Sequence, residues 1–436
     1  MAFVSVWPPN LEESIVSRPQ LLAGVRIIES ALLGPGAITT HLADLGAEVI
    51  KVEPPTGDYI REMTWPIIGP PGADDGPREG NGNSLLHLHI HRGKKSIALD
   101  LRTPEGVEIY KDLARGADAV IEAMRPGALA KRGLGYHDLL EVNPSIVFCT
   151  ISGYGATGPY KDMPSHGIAY DTWAGQVPPA YDDEGFCYIP EHSSIGIHAG
   201  PVFGTLGILA AIIRARSTGE PCQLEIAQSD AAAYFDWYRI ESEQAYRRPE
   251  HEVTGNKSDN FERRAAGTAG MREGVRYQIY ESADGHVLFM ASEQAFWKNF
   301  CEGVGRVDLF EANPGSKFAD HARGNRSLQA ELRTIFKARS SAEWLEFGNR
   351  VNTPIAPVNT TKTIATDPQF QHRLPWIPAT RLDADQLPLP VKVCDEAVAM
   401  PEKAPTVGEH TDAVLRDVLG YDDERIATLR KGGVLG

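Results

Sequence analysis

The 436-residue chain is poor in cysteine: Cys149, Cys187, Cys222, Cys301 and Cys394 are scattered, with no CxxC pair. This spacing excludes a disulfide framework and a cysteine-built zinc cluster, and it suits a reducing compartment. Positive charge is also in deficit. The chain has 43 Lys and Arg against 58 Asp and Glu, a net charge of −15. That balance argues against nonspecific binding of nucleic acid or of an anionic membrane, but an anionic ligand needs only a local basic pocket. The opening residues MAFVSVWPPNLEES lack a basic region followed by an apolar core, so no secretory leader is read and a cytoplasmic location is expected. No internal repeat is evident. What remains is ordinary globular composition, 42% hydrophobic and 23% charged, in a chain too long for one ordinary core.

One long stretch lacks charge altogether. Ser193–Ile213 contains no Asp, Glu, Lys or Arg, and a helix there sets Gly196, Gly200 and Gly204 four apart on one face. Glycine costs a helix interior about 1 kcal/mol relative to alanine, so three in register predict close approach by another backbone. A membrane span is the rival reading. Pro201, His198, the serines and the mixed flanks favour a buried helix, whose start is the expected centre of chemistry.

Upstream, Val25–Glu29, a helix over Ala37–Leu45 and Ala47–Glu53 make a β–turn–α–β unit of a parallel sheet. The Gly34-Pro35-Gly36 turn is not GxGxxG, so no nicotinamide cofactor is expected. Residues 56–85 read as a mobile loop, and His87, His89 and His91 as histidines on one strand face. No local carboxylate or cysteine accompanies them, and no metal site is assigned. Arg92, Lys94, Lys95 and Arg102 lead through a strand at Ile97–Arg102 to a helix opened by Thr103 and Pro104. These cations can clamp phosphates or simply solvate a turn. The glycine-rich loop Ser152–Tyr160 follows a strand at Ile146–Ile151, where open α/β sheets place ligand sites. Further on, Gln228–Gln244 reads as one helix, 247–275 as a polar loop, and Tyr277–Ala291 as a hairpin around Ser282–His286.

Eight segments carry a resemblance: LADLGAEVIKVEPPTGD, HRGKKSIALDLRTPEG, RPGALAKRGLGY, NPSIVFCTISGYGATGPY, GILAAIIRARSTGEPCQLEIAQSDA, YESADGHV, TPIAPVNT and APTVGEHTDAVLRDVLG. In this order they resemble the class III coenzyme A transferase family, which includes formyl-CoA and carnitine CoA-transferases and α-methylacyl-CoA racemase. The resemblance implies an α/β protein: a Rossmann-like open-sheet large domain from 1–225 and 336–436, a smaller α+β domain at 226–335, and an interlocked dimer. It implies acyl-CoA and a carboxylic acid as ligands, with a homodimer or a heteromer built with a paralogous subunit. By position, the coenzyme A contacts fall on Leu33, Leu99, Arg102, Met124, Arg125 and Lys131. Pro54 stands where some members have a phosphate-binding arginine.

The transferases resembled attack the thioester with an aspartate just before the GILAA helix, and that position is Ile197, beside His198. The nearest carboxylates are Glu191, six positions earlier, and Asp171 in the preceding loop, the latter a candidate displaced nucleophile. The racemase branch moves a proton with a histidine and a glutamate, which match His166 and Glu281; Ile197 again replaces the third member. CoA transfer between carboxylic acids is the leading expectation. An isomerase or epimerase using His166 and Glu281, or a non-nucleophilic CoA-binding subunit, are the alternatives.

Overall fold

The computed structural model describes residues 21–63, 66–69, 82–255, 261–263, 271–316, 320–393 and 400–436. The lead-in expected at 1–20, parts of the loops at 56–85 and 247–275, and Cys394 lie outside the described residues. The chain divides into two compact units, one running to Asp236 and resuming at His372–Gly436, the other Trp237–Gln371.

The first unit is built on six parallel strands: β1 (Arg26–Ser30), β2 (Glu48–Glu53), β3 (Lys95–Ala98), β4 (Ala119–Glu122), β5 (Val147–Ser152) and β6 (Cys222–Ala227). Their spatial order is β6-β5-β4-β1-β2-β3, the order of doubly wound dinucleotide folds. Strands β1, β2, β4 and β5 are covered on both faces, so neighbouring residues are buried on opposite sides, whereas the edge strand β6 leaves Gln223 and Glu225 exposed. Ile28, Ile50, Val120 and Phe148 join one core, and Ile27, Val49, Ile121 and Cys149 the other. The strands expected at Val25–Glu29 and Ala47–Glu53 and the helix between them are therefore where the sequence puts them, with the helix at Ala37–Asp44. Thr103 caps Pro104–Arg115 by accepting from the Gly106 N–H. The β3 edge is covered from far along the chain: Leu99 bridges Leu435, Asp100 N donates to Val434 O, and the Gly408 N–H bonds Ser96 Oγ.

The uncharged stretch forms the helix Gly196–Thr218, long and apolar enough by length and composition to cross a membrane. Its glycine face is filled from within the unit. A Cβ at Gly196 would lie 2.8 Å from Tyr170 Cβ, at Gly200 2.9 Å from Gln228 Cγ, and at Gly204 2.5 Å from Ile38 Cδ1. The close approach expected there is thus made largely by side chains, joined by the Gln228 backbone through its carbonyl at Gly196 and its Cα at Gly200.

Three readings change. His87, His89 and His91 lie on a helix, Leu85–His91, started by Ser84, whose hydroxyl accepts from the His87 N–H. Helical spacing then buries His87 and His91 together, rings 4.8 Å apart, and turns His89 outward. The single helix over Gln228–Gln244 is two, Gln228–Phe235 and Trp237–Ala245, because Asp236 leaves helical geometry (φ −108°, ψ 24°). The expected domain limits at 225 and 335 lie at 236 and 371 in the division by compactness. Gln228–Phe235 packs on the Gly196–Thr218 helix and stays with the large sheet. In the second unit the hairpin strands Tyr277–Glu281 and His286–Met290 pair with Ile355–Pro357, and Ser341–Val351 seals the core with Trp344 and Phe347. That keeps 336–371 there.

Candidate functional site

In a sheet of this order, the loops leaving β1 and β4 diverge and open a crevice at the carboxyl ends of the strands. A cavity of about 420 Å³ lies there. Leu32 lines it after β1, Pro54–Tyr59 after β2, Leu99–Arg102 after β3 and Met124 after β4, with Arg132 beside them. Of the residues expected to touch coenzyme A, Leu99, Arg102 and Met124 line this cavity. Leu33 is one residue beyond its wall, and Arg125 and Lys131 are exposed outside it. Tyr59 and Arg132 were not anticipated. Tyr59 belongs to a segment taken as loop, and Arg132 adjoins the expected Lys131.

The four cations that could clamp phosphates or solvate a turn go to separate places. Arg92 is buried against Asp44 (2.6 Å), Lys94 against Glu29 (2.7 Å), and Lys95 pairs with Glu48 (2.6 Å). Only Arg102 reaches the cavity, exposed and held by Asp100 at 2.7 Å. The Asp100 hydrogen bonds raise the Arg102 guanidinium and hold the Asp100 carboxyl down to about 2. Pro54 lines the wall and supplies no charge.

A buried ionic cluster fixes the turns around this cavity. Glu29 accepts from Lys94 at 2.7 Å and Lys51 at 3.4 Å; Lys51 also donates to Asp58 at 3.1 Å. Burial alone would raise the Glu29 carboxyl, but Lys94 and then Lys51 hold it down to about 2. Burial pushes Lys94 down to about 8 despite Glu29. Lys94 donates as well to Gly36 O (2.8 Å), tying the Gly34–Gly36 turn to β1. Asp58 accepts from the Ile60 N–H and donates its own N–H to Glu53, so 56–61 is a braced rim rather than a free loop. Just before the glycine turn, Leu33 has φ 59° and ψ −149°, a region essentially restricted to glycine.

That turn leads to the start of the long helix. Gly34 lies against Ile197, whose Cβ would be 3.7 Å from a Cβ placed there. On the other side a Cβ at Gly167 would be 2.7 Å from Ile197 Cγ2. The branched side chain is clamped between two glycines. Asp171, in the helix Gly167–Trp173, accepts from the Gly196 N–H at 2.7 Å and so caps the long helix from outside. It is fully buried, and its second oxygen has no partner. A nucleophile must reach a thioester carbonyl, and no atom of Asp171 is open to one in this chain. His166 holds the N-cap position before Gly167, but its exposed imidazole makes no cap bond. His198, one residue past Ile197, is exposed too. Glu281 belongs to the second unit, exposed at a strand end and ion-paired with Lys337 (2.7 Å) and Arg333 (3.8 Å). The Lys337 hydrogen bond holds its carboxyl below the usual range. Among the described residues, no three His, Cys, Asp or Glu side chains are grouped to hold a metal ion.

Residues 22–411 match the family model described as CoA-transferase family III. Among curated proteins, the chain is 29% identical to human succinyl-CoA:glutarate CoA-transferase, covering 95% of this chain and 90% of that protein. It is 30% identical to the succinyl-CoA–D-citramalate CoA-transferase of Chloroflexus aurantiacus, covering 96% and 98%. The beta subunit of that organism's succinyl-CoA–L-malate CoA-transferase is 27% identical over 95% and 98%. The crystal structure of Rv3272 from Mycobacterium tuberculosis superposes with a TM-score of 0.72 at 24% identity, covering 91% and 99%.

Proposed function

The chain belongs to CoA-transferase family III, and from that membership we propose that it binds coenzyme A in the crevice beyond β1–β4 and moves it between carboxylic acids. The observation that carries the proposal is the cavity itself, which Leu99, Arg102 and Met124, matched by motif position, all line. Leu99 and Met124 offer apolar contact, Tyr59 an exposed ring at the rim, and Arg102 and Arg132 the cations for phosphate. The protein is read as cytoplasmic, working as an interlocked homodimer or with a paralogous subunit.

Isothermal titration with CoA tests the pocket. Arg102→Ala weakens affinity by roughly 1.5–3 kcal/mol if the guanidinium pairs a phosphate; unchanged affinity removes the assignment. Transfer is tested by mixing succinyl-CoA with an acceptor acid and following the new thioester.

A second reading is favoured by Ile197. With an apolar side chain clamped at the helix start and Asp171 closed off, the carboxylate that attacks the thioester comes from a paralogous partner, and this chain is the CoA-binding subunit. A relative named as a beta subunit suits that arrangement. Mass spectrometry separates the two. A CoA adduct on a carboxylate of this chain supports the self-sufficient transferase. CoA binding with neither adduct nor transfer supports the subunit.

A further inference from the structure

We infer that the acyl group handled beside Ile197 is apolar and of aromatic size, rather than a second carboxylate. The inference rests on the CoA reading above and names its substrate class. Leu32 lines the CoA cavity and Gly34, two residues on, lies against Ile197, so on that reading a thioester leaving the cavity past Leu32 is directed to the start of the Gly196–Thr218 helix. Ile197 joins an apolar cluster with Tyr154, Tyr170, Ala174 and Ala232. From this cluster extends a set of rings that the unit leaves partly uncovered. Tyr154 meets Tyr160 edge-on at 5.7 Å and Trp173 at 6.4 Å between centroids, and both outer rings are 47% exposed. Met163, also exposed, follows on the same loop. Edge-to-face packing of this kind is available to one more ring.

Charge points the same way. Between Gly153 and Ile213 Lys161 is the sole Lys or Arg, against five exposed acids: Asp162, Asp182, Asp183, Glu184 and Glu191. Lys161 is already paired with Asp162 at 2.6 Å. Within this segment a dicarboxylic acyl chain would meet exposed acids, and the one lysine there is already paired. An uncharged ring meets no such penalty.

The test is titration of the full chain with three probes: CoA, succinyl-CoA and phenylacetyl-CoA. Phenylacetyl-CoA is expected to bind about tenfold tighter than CoA, a step in the range that ring–ring contacts and apolar burial supply. Succinyl-CoA is expected to bind no tighter than CoA. Trp173→Ala and, separately, Tyr160→Ala should erase the phenylacetyl advantage while leaving CoA affinity unchanged; both rings are half-exposed, so neither variant threatens folding. If succinyl-CoA gains over CoA and phenylacetyl-CoA does not, or if the advantage survives both substitutions, the inference is overturned while the CoA reading stands. Failure of CoA itself to bind would overturn that reading and this inference together.

Discussion

Asp171 offers the sharpest test of how the helix start works. Its Oδ1 accepts the Gly196 N–H at 2.7 Å in a fully buried setting, beside a long helix with no side-chain cap of its own. An ionised acceptor contributes about 1.5–3 kcal/mol, against about 0.5–1.5 for a neutral one. Charge at a helix N-terminus adds about 0.3–1 kcal/mol, more when partly buried. Asp171→Asn keeps an acceptor and loses the charge, so it should cost about 1–2 kcal/mol. Asp171→Ala leaves the Gly196 N–H without a partner and should cost about 3 kcal/mol. Urea unfolding followed by circular dichroism reads both. CoA transfer, or CoA binding if the chain is a subunit, is then measured where all variants remain folded. A cap predicts that Asn retains function within about tenfold, the effect of a displacement worth roughly 1.4 kcal/mol. The reasoning fails if Asp171→Asn is as stable as the parent yet abolishes transfer, or if a CoA adduct maps to the Asp171 peptide.

Other expectations follow from the same geometry. Gly167→Ala should gain up to about 1 kcal/mol of helix propensity but lose about 1–3 to the clash with Ile197. The net loss should vanish when combined with Ile197→Ala, and a double-mutant cycle that proves additive would refute the contact. Leu33→Gly relieves a conformation that costs a leucine about 1–3 kcal/mol, so its urea midpoint should rise or hold; a clear fall argues against strain there. Glu29 is depressed from 4.5 to about 2, so its contribution is complete above pH 4.5 and is lost as pH falls towards 2. The stability gap between the parent and Glu29→Gln should narrow across that window by roughly 3 kcal/mol, from about 1.4 per pKa unit. A gap independent of pH would mean Glu29 is not ionised in the fold.

Much of the architecture was legible because its determinants are local. The short apolar runs Ile27-Ile28 in β1 and Val49-Ile50 in β2, the Thr103–Pro104 helix start and the Ser282–Gly285 turn each need only their own neighbours. The glycine spacing of the long helix also read through. What did not read through depends on distant partners. HLHIH has strand periodicity, and the Ser84 hydroxyl overrides it. Arg92, Lys94 and Lys95 look like a phosphate clamp until Asp44, Glu29 and Glu48, all some forty or more positions earlier, take them up. Motif position found three of the cavity's lining residues; Tyr59 and Arg132 needed the folded loops. For Ile197 the sequence revealed the missing carboxylate, and only the fold revealed the two glycines that enclose its replacement.

The covering of β3 by residues 408–411 and 434–436 bears on how the protein is made. The Ser96 N–H meets its partner His410 314 positions later. At roughly 5–20 residues per second of translation, that separation leaves the strand's outer edge bare for about 15–60 seconds on the ribosome. A bare strand edge is a template for pairing with a neighbouring nascent chain. Lys95 at its first position, charged and half-exposed, is the residue best placed to discourage such pairing while synthesis catches up.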